Sequence, residues 1–191
     1  NTCFIAVTFK FYSKLFPATQ PFRKCLLLSK DCPHKSFAFL LIPNYMEITK
    51  IVFLLFPKVH LQDLAGPAQV FYEASELGNR NFKILFAGLD QSATSEQGLM
   101  LSMLSNVEDM SLKKGDMVCV PGFDFASFQA GELDAAIERA GNWLWMQREK
   151  GVYIASICSG AMALGKMGLL DHVECTSHWK CLAYMKEQFP K

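Results

Sequence analysis

The chain has 191 residues, of which 51% are hydrophobic and 19% charged, with a formal net charge of +1. That length holds one domain with a core of ordinary size, and that composition excludes an intrinsically disordered chain. No apolar run reaches the ~18 residues of a membrane span, and seven cysteines, odd in number and irregularly spaced, make no disulfide framework and point to a reducing, cytoplasmic setting.

Residues 1–45 differ from the rest. They contain no Gly, and they carry six Lys or Arg against one acid, Asp31. They show no sustained period of 2 or 3.6, and they lack the charged start, apolar core and cleavage site of a secretory signal. The first Met, Met46, stands just before the first well-patterned segment. Residues 1–45 are therefore expected to be a non-native or disordered extension, and 46–191 the folded domain. The body beyond residue 45 is acidic with scattered charge, which argues against direct nucleic-acid binding.

Patterning is regular from Lys50 onward. "KIVFLLF" (Lys50–Phe56) is a continuous apolar run, as in a strand buried on both faces. A loop is expected from Pro57 to Pro67, then a helix, "PAQVFYEASEL", with Pro67 in its first turn and Gly78 after its end. "FKILFAG" (Phe82–Gly88) reads as a second strand, and "GLMLSMLSNVED" as a side hairpin. "DMVCVPG" (Asp116–Gly122) is a third strand, and "ELDAAIERAGNWLWMQREKG" an amphipathic helix ending at Gly151. Then come the strand Val152–Ile157, a helix opening at Cys158-Ser159-Gly160 and closing at Gly168, a short strand "HVECTS", and a helix "HWKCLAYMKEQF".

Apolar strands alternating with helices predict a doubly wound α/β domain, a mainly parallel sheet covered by helices on both faces. In such sheets ligands bind outside the carboxyl ends of the strands. Asp63 follows the first predicted strand, Gly122 the third, Cys158 the fourth and His178 the fifth, so all four are expected at one sheet edge.

A strand-to-helix turn carrying Cys158 has the form of a nucleophile elbow. The helix N-terminus favours a thiolate and offers N–H groups to a developing oxyanion. The small residues of "ICSGA", including Gly160, suit so sharp a bend. The pattern alone leaves nucleophile and buried packing cysteine both open. Asp63 reads as a loop or capping acid, or as a proton carrier beside the thiol. His178 reads as a half-buried helix-start histidine, or as a base or orienting partner. Ser159 is an ordinary helix-start residue, or a hydroxyl beside the nucleophile. His172, Cys175, His178 and Cys181 recur at intervals of three but lie on elements pointing differently, so no zinc site is expected there. Neither nucleotide-binding glycine motif is present. No metal and no cofactor are expected.

The combination of "VFLLFPKVHLQDLAGPAQVFYEA", "DMVCVPGFD", "IASICSGAMALGKMGLLD" and "CTSHW", in that order, resembles the ThiJ/PfpI superfamily of class I glutamine amidotransferase-like domains. Within it the chain looks like the branch of isonitrile hydratase and of AraC-type regulator sensor domains. The resemblance covers about Lys50 to Lys191 and implies a flavodoxin-like sheet with Cys158 as nucleophile. It also implies Asp63 as the acid of the D-L-x-G-P motif, Ser159 as the hydroxyl residue after the nucleophile, and His178 as the histidine of T-x-H-W. Gly122 and Phe123 fall where the superfamily often has paired glycines lining an oxyanion pocket, and a Phe there is expected to leave its N–H available while narrowing the pocket. Since the superfamily domain continues beyond Lys191, the chain is expected to be truncated at its C-terminus.

Two functions follow from the resemblance. One is cysteine-dependent hydration or hydrolysis of a small molecule, of the isonitrile hydratase type. The other is ligand sensing for an AraC-type transcription regulator whose helix-turn-helix lies outside this chain. The expected partners are a small-molecule substrate or ligand and a second copy in a homodimer, with no membrane.

Overall fold

The computed structural model describes residues 5–7, 48–77 and 81–190. Six strands form one sheet: β1 (Ile5–Val7), β2 (Thr49–Leu55), β3 (Phe82–Gly88), β6 (Ser105–Asn106), β7 (Met117–Val120) and β8 (Tyr153–Ile157). Their order is β1-β8-β7-β2-β3-β6, with every neighbouring pair parallel. Apart from the backbone of Ile5–Val7, which pairs with Ala155–Ile157, the extension expected over 1–45 lies outside the described residues.

The continuous apolar runs form strands because side chains alternate across a pleat and both faces of this sheet are covered. Along β2, Val52 and Leu54 enter one core with Ile137, Leu144, Met162 and Leu164. These last come from α3 (Asp134–Glu149), which follows the short α2 (Phe125–Gln129), and from α4 (Gly160–Lys166). The alternate residues Ile51, Phe53 and Leu55 enter a second core with Cys119 and Ile157, against Leu64 and Phe71 of α1 (Leu61–Leu77). Asp116, fully buried at the start of β7, accepts the N–H groups of Lys50 (2.8 Å) and Lys113 (2.9 Å) and so ties β2 to β7.

After β2 the chain goes out to β3 on one side, then returns across the sheet to β7 and β8 on the other. The winding therefore reverses between β2 and β7, and a crevice opens at their carboxyl ends. The expected side hairpin is present, as β4 (Ser92–Thr94) antiparallel to β5 (Met100–Ser102).

Two expectations need correction. The stretch Pro57–Pro67 is loop only to His60. Helix α1 begins at Leu61, so Pro67 sits inside it and withholds the N–H that would bond the Asp63 carbonyl. The strand expected at His172–Ser177 does not form. Isolated β-propensity does not make a strand without a sheet neighbour, and this segment carries exposed His172, Glu174 and Cys175. It leads instead into a 3₁₀ turn (Trp179–Cys181) and α5 (Leu182–Gln188).

Candidate active site

The turn after β2 is stitched to both of its flanks. The Lys58 N–H donates to the Thr94 carbonyl (2.7 Å), and the Glu96 N–H donates to the Val59 carbonyl (3.1 Å), which joins the turn to the hairpin. On the other side the Asp124 N–H donates to the Lys58 carbonyl (3.0 Å) and the His60 N–H to the Gly122 carbonyl (2.8 Å). These bonds hold the His60 ring between two carboxylates. Its Nδ1 lies 3.2 Å from Asp63 Oδ2 and its Nε2 lies 3.1 Å from Glu96 Oε2.

Asp63, in the first turn of α1, is only 8% exposed. Its carboxylate rests on the backbone of Gly122: a Cβ there would collide with Asp63 Oδ2 and come within 3.0 Å of Cys158 Cβ and Ser159 Oγ. Only glycine fits that contact.

Cys158 occupies the bend between β8 and α4 and has φ +56°, a left-handed conformation that costs an L-residue roughly 1–2 kcal/mol. The tightness of the bend has a local cause. Gly160 packs against the carbonyls of Val120 and Pro121 so closely that any Cβ would collide with them, which draws α4 onto the end of β7. Ser177 Oγ donates to the Cys158 carbonyl (2.9 Å) and fixes the bend from outside. The Cys158 thiol is half-buried, and its Sγ, a His60 ring nitrogen and an Asp63 oxygen all lie within 4.8 Å of one another.

The charges reinforce this arrangement. Hydrogen bonding to Asp63, then to Cys158, with the charges of Asp63 and Glu96 adding, outweighs partial burial and lifts the His60 pKa from 6.5 to about 10. His60 is thus an imidazolium at neutral pH, donating to both carboxylates. Burial pushes the Cys119 thiol up to about 12 and, with Cys158 beside it, the Cys181 thiol up to about 11. Such thiols are inert packing groups.

The remaining expected residues take other positions. The Ser159 hydroxyl is fully engaged with the backbone of Phe123, donating to its carbonyl (2.7 Å) and accepting its N–H (2.9 Å). The Phe123 N–H is therefore not free for an oxyanion. Nor does its ring narrow the pocket: it is fully buried, packed 5.9 Å from the rings of Phe56 and Phe128. His178 lines the cleft, but its Nδ1 accepts the Lys180 N–H (3.3 Å) as a turn cap. His60 is the histidine whose ring nitrogen lies with the Cys158 sulfur and an Asp63 oxygen.

His60 and Glu96 were not singled out from the sequence. His60 had a faint signal, standing three residues before Asp63. Glu96 had none, since it arrives through the hairpin's pairing with the turn. His60, Asp63, Glu96, Cys158 and His178 face a cleft of about 790 Å³ at the switch point, which also takes in Asp124, Phe125 and Cys181.

Comparison with known proteins agrees with this fold. The profile of the DJ-1/PfpI family matches residues 49–190. The chain is 32% identical to isonitrile hydratase of Pseudomonas putida over 130 residues, 68% of this chain and 52% of that one. It is 43% identical to the HTH-type transcriptional regulator GbdR of Pseudomonas aeruginosa over 49 residues, 26% of this chain and 13% of the regulator. The chain thus spans about half the length of the hydratase it matches and a smaller part of the regulator. Among solved structures, an AraC family transcriptional regulator from Pseudomonas putida superposes with a TM-score of 0.57 at 23% identity, covering 74% of this chain and 73% of that one.

Proposed function

The chain belongs to the DJ-1/PfpI family, and on that footing we propose that its cleft performs cysteine-dependent hydration or hydrolysis of a small electrophilic molecule. The observation that carries this reading is the Cys158 sulfur, held at a strained bend beside the His60 imidazolium and the Asp63 carboxylate. Packing alone supplies no reason to hold a thiol at positive φ next to a cation (strain of this kind gathers at functional sites).

For an isonitrile the steps balance as follows. The Cys158 thiolate adds to the terminal carbon, and that carbon takes a proton from the His60–Asp63 pair, giving a thioimidate. Water adds to the thioimidate carbon, with a proton passing to nitrogen. The carbon–sulfur bond breaks as the hydroxyl proton passes back to the His60–Asp63 pair, the thiolate returns, and the product is an N-substituted formamide. His60 places positive charge where the anionic sulfur needs it, and Asp63 relays the proton.

The test is turnover of a panel of small isonitriles. Cys158→Ala is expected to lose all activity and Asp63→Asn at least ~100-fold, the scale of a positioned acid–base group. Undiminished turnover in Cys158→Ala overturns the reading.

A second reading is favoured by the sequence match to a transcriptional regulator: the same cleft senses a small ligand for a DNA-binding partner domain. In that case Cys158→Ala still binds ligand by calorimetry, and no variant changes a turnover that does not exist.

A further inference from the structure

We infer that His60, Asp63 and Cys158 form a binding site for a single zinc-class divalent cation, held by one nitrogen, one oxygen and one sulfur with the fourth position open to the cleft. Among the described residues this is the group of metal-ligating side chains whose donor atoms lie close together, all within 4.8 Å. The nitrogen–oxygen separation, 3.2 Å between His60 Nδ1 and Asp63 Oδ2, matches the ~3.3 Å edge that a tetrahedron with bonds of about 2.0–2.1 Å requires. The sulfur needs only a modest approach, from a side chain on a two-residue bend.

The donor set selects the ion. Magnesium and calcium take six or more oxygens, whereas a thiolate with an imidazole suits zinc. The surroundings are also those of a metal site. With Nδ1 on the metal, Nε2–H points at Glu96 Oε2, 3.1 Å away, which gives the carboxylate–histidine–metal chain that orients such ligands. Three protein ligands and an opening onto a cleft of about 790 Å³ leave one coordination position for water or an anion. Binding displaces the proton held by the His60 Nδ1 into solvent. The occupied site has its sulfur bonded to the metal, so the cation masks Cys158 reversibly.

This inference requires only the three side chains and stands whether or not Cys158 is a nucleophile. It is tested on the reduced full chain by titrating zinc against a chromophoric chelator, with cobalt(II) as a spectroscopic probe. One equivalent is expected to bind, to give a thiolate-to-cobalt charge-transfer band, and to suppress iodoacetamide labelling of Cys158. Binding should survive Cys175→Ser, which removes an exposed thiol. It should weaken about 10-fold or more in Glu96→Gln, and lose the charge-transfer band in both Cys158→Ala and His60→Asn. Circular dichroism confirms that each variant is folded. No stoichiometric binding, or a charge-transfer band that persists in Cys158→Ala, overturns the site. Labelling of Cys158 in the metal-free protein, measured alongside, reports thiol reactivity separately from metal affinity.

Discussion

Two single residues in the site are held in conformations or contacts that invite direct measurement. Cys158 keeps φ at +56°, a value that glycine adopts without the Cβ penalty. Cys158→Gly should therefore be more stable than Cys158→Ala by about 1 kcal/mol, read from urea midpoints. Equal midpoints would mean that the bend carries no strain. Ser159 has its hydroxyl spent twice on Phe123. Ser159→Ala leaves a buried N–H and a buried carbonyl without that partner and should cost roughly 1–3 kcal/mol. It should also loosen the Gly122–Phe123 turn on which Asp63 rests. At this scale Cys158, Asp63 and Gly122 were legible, since each stands in a short motif of small and polar residues beside an apolar run. The detailed role of Ser159 was not, because a hydroxyl next to a nucleophile and a hydroxyl stapling a distant backbone have the same sequence.

At the scale of elements, the site depends on keeping the ends of β2 and β7 in register. Asp116 does this at the opposite end, accepting N–H groups from Lys50 and Lys113. Asp116→Ala removes the carboxylate that accepts both N–H groups, and a loss of about 2–4 kcal/mol is expected at roughly 1–2 kcal/mol per hydrogen bond. Calorimetric melting measures it, and a change under 0.5 kcal/mol would remove this residue from the account. Strands β2, β3, β7 and β8 were readable as apolar runs. Strand β6 was not, because two residues carry no periodicity and pair with Ala87 and Gly88 only through the fold. The failed strand at His172–Ser177 shows the same limit from the other side. Val173 and Thr176 have strand propensity, yet no sheet edge receives them.

Over the whole molecule, the imidazolium of His60 couples stability to pH. Its pKa of about 10 in the fold lies above the 6.5 of an unperturbed imidazole, so the folded state binds its proton more tightly than the unfolded state does. The resulting stabilisation is complete below pH ~6.5 and is lost as pH rises toward 10. The urea midpoint of the wild type should fall relative to that of His60→Asn across this window, and parallel profiles would sink the assignment. The same long-range arrangement serves either proposed function, since catalysis and sensing both need a closed set of polar groups at the switch point. Among the described residues no helix is long and apolar enough to cross a membrane.

The sequence by itself determined the fold class, because apolar strands alternating with helices have few ways to bury both faces of a parallel sheet. It also determined that Asp63, Gly122 and Cys158 share one edge, because that edge rule depends only on chain direction. Which histidine meets the cysteine was decided by the tertiary structure alone. His178 has the better motif, and its Nδ1 is used in capping a turn at the same cleft. The turn bearing His60 is carried to the thiol by hydrogen bonds of Lys58, Val59 and His60 with Thr94, Glu96, Gly122 and Asp124 on segments distant in sequence. Local pattern records what a residue can do, and only the packing of those segments sets which partner lies within reach.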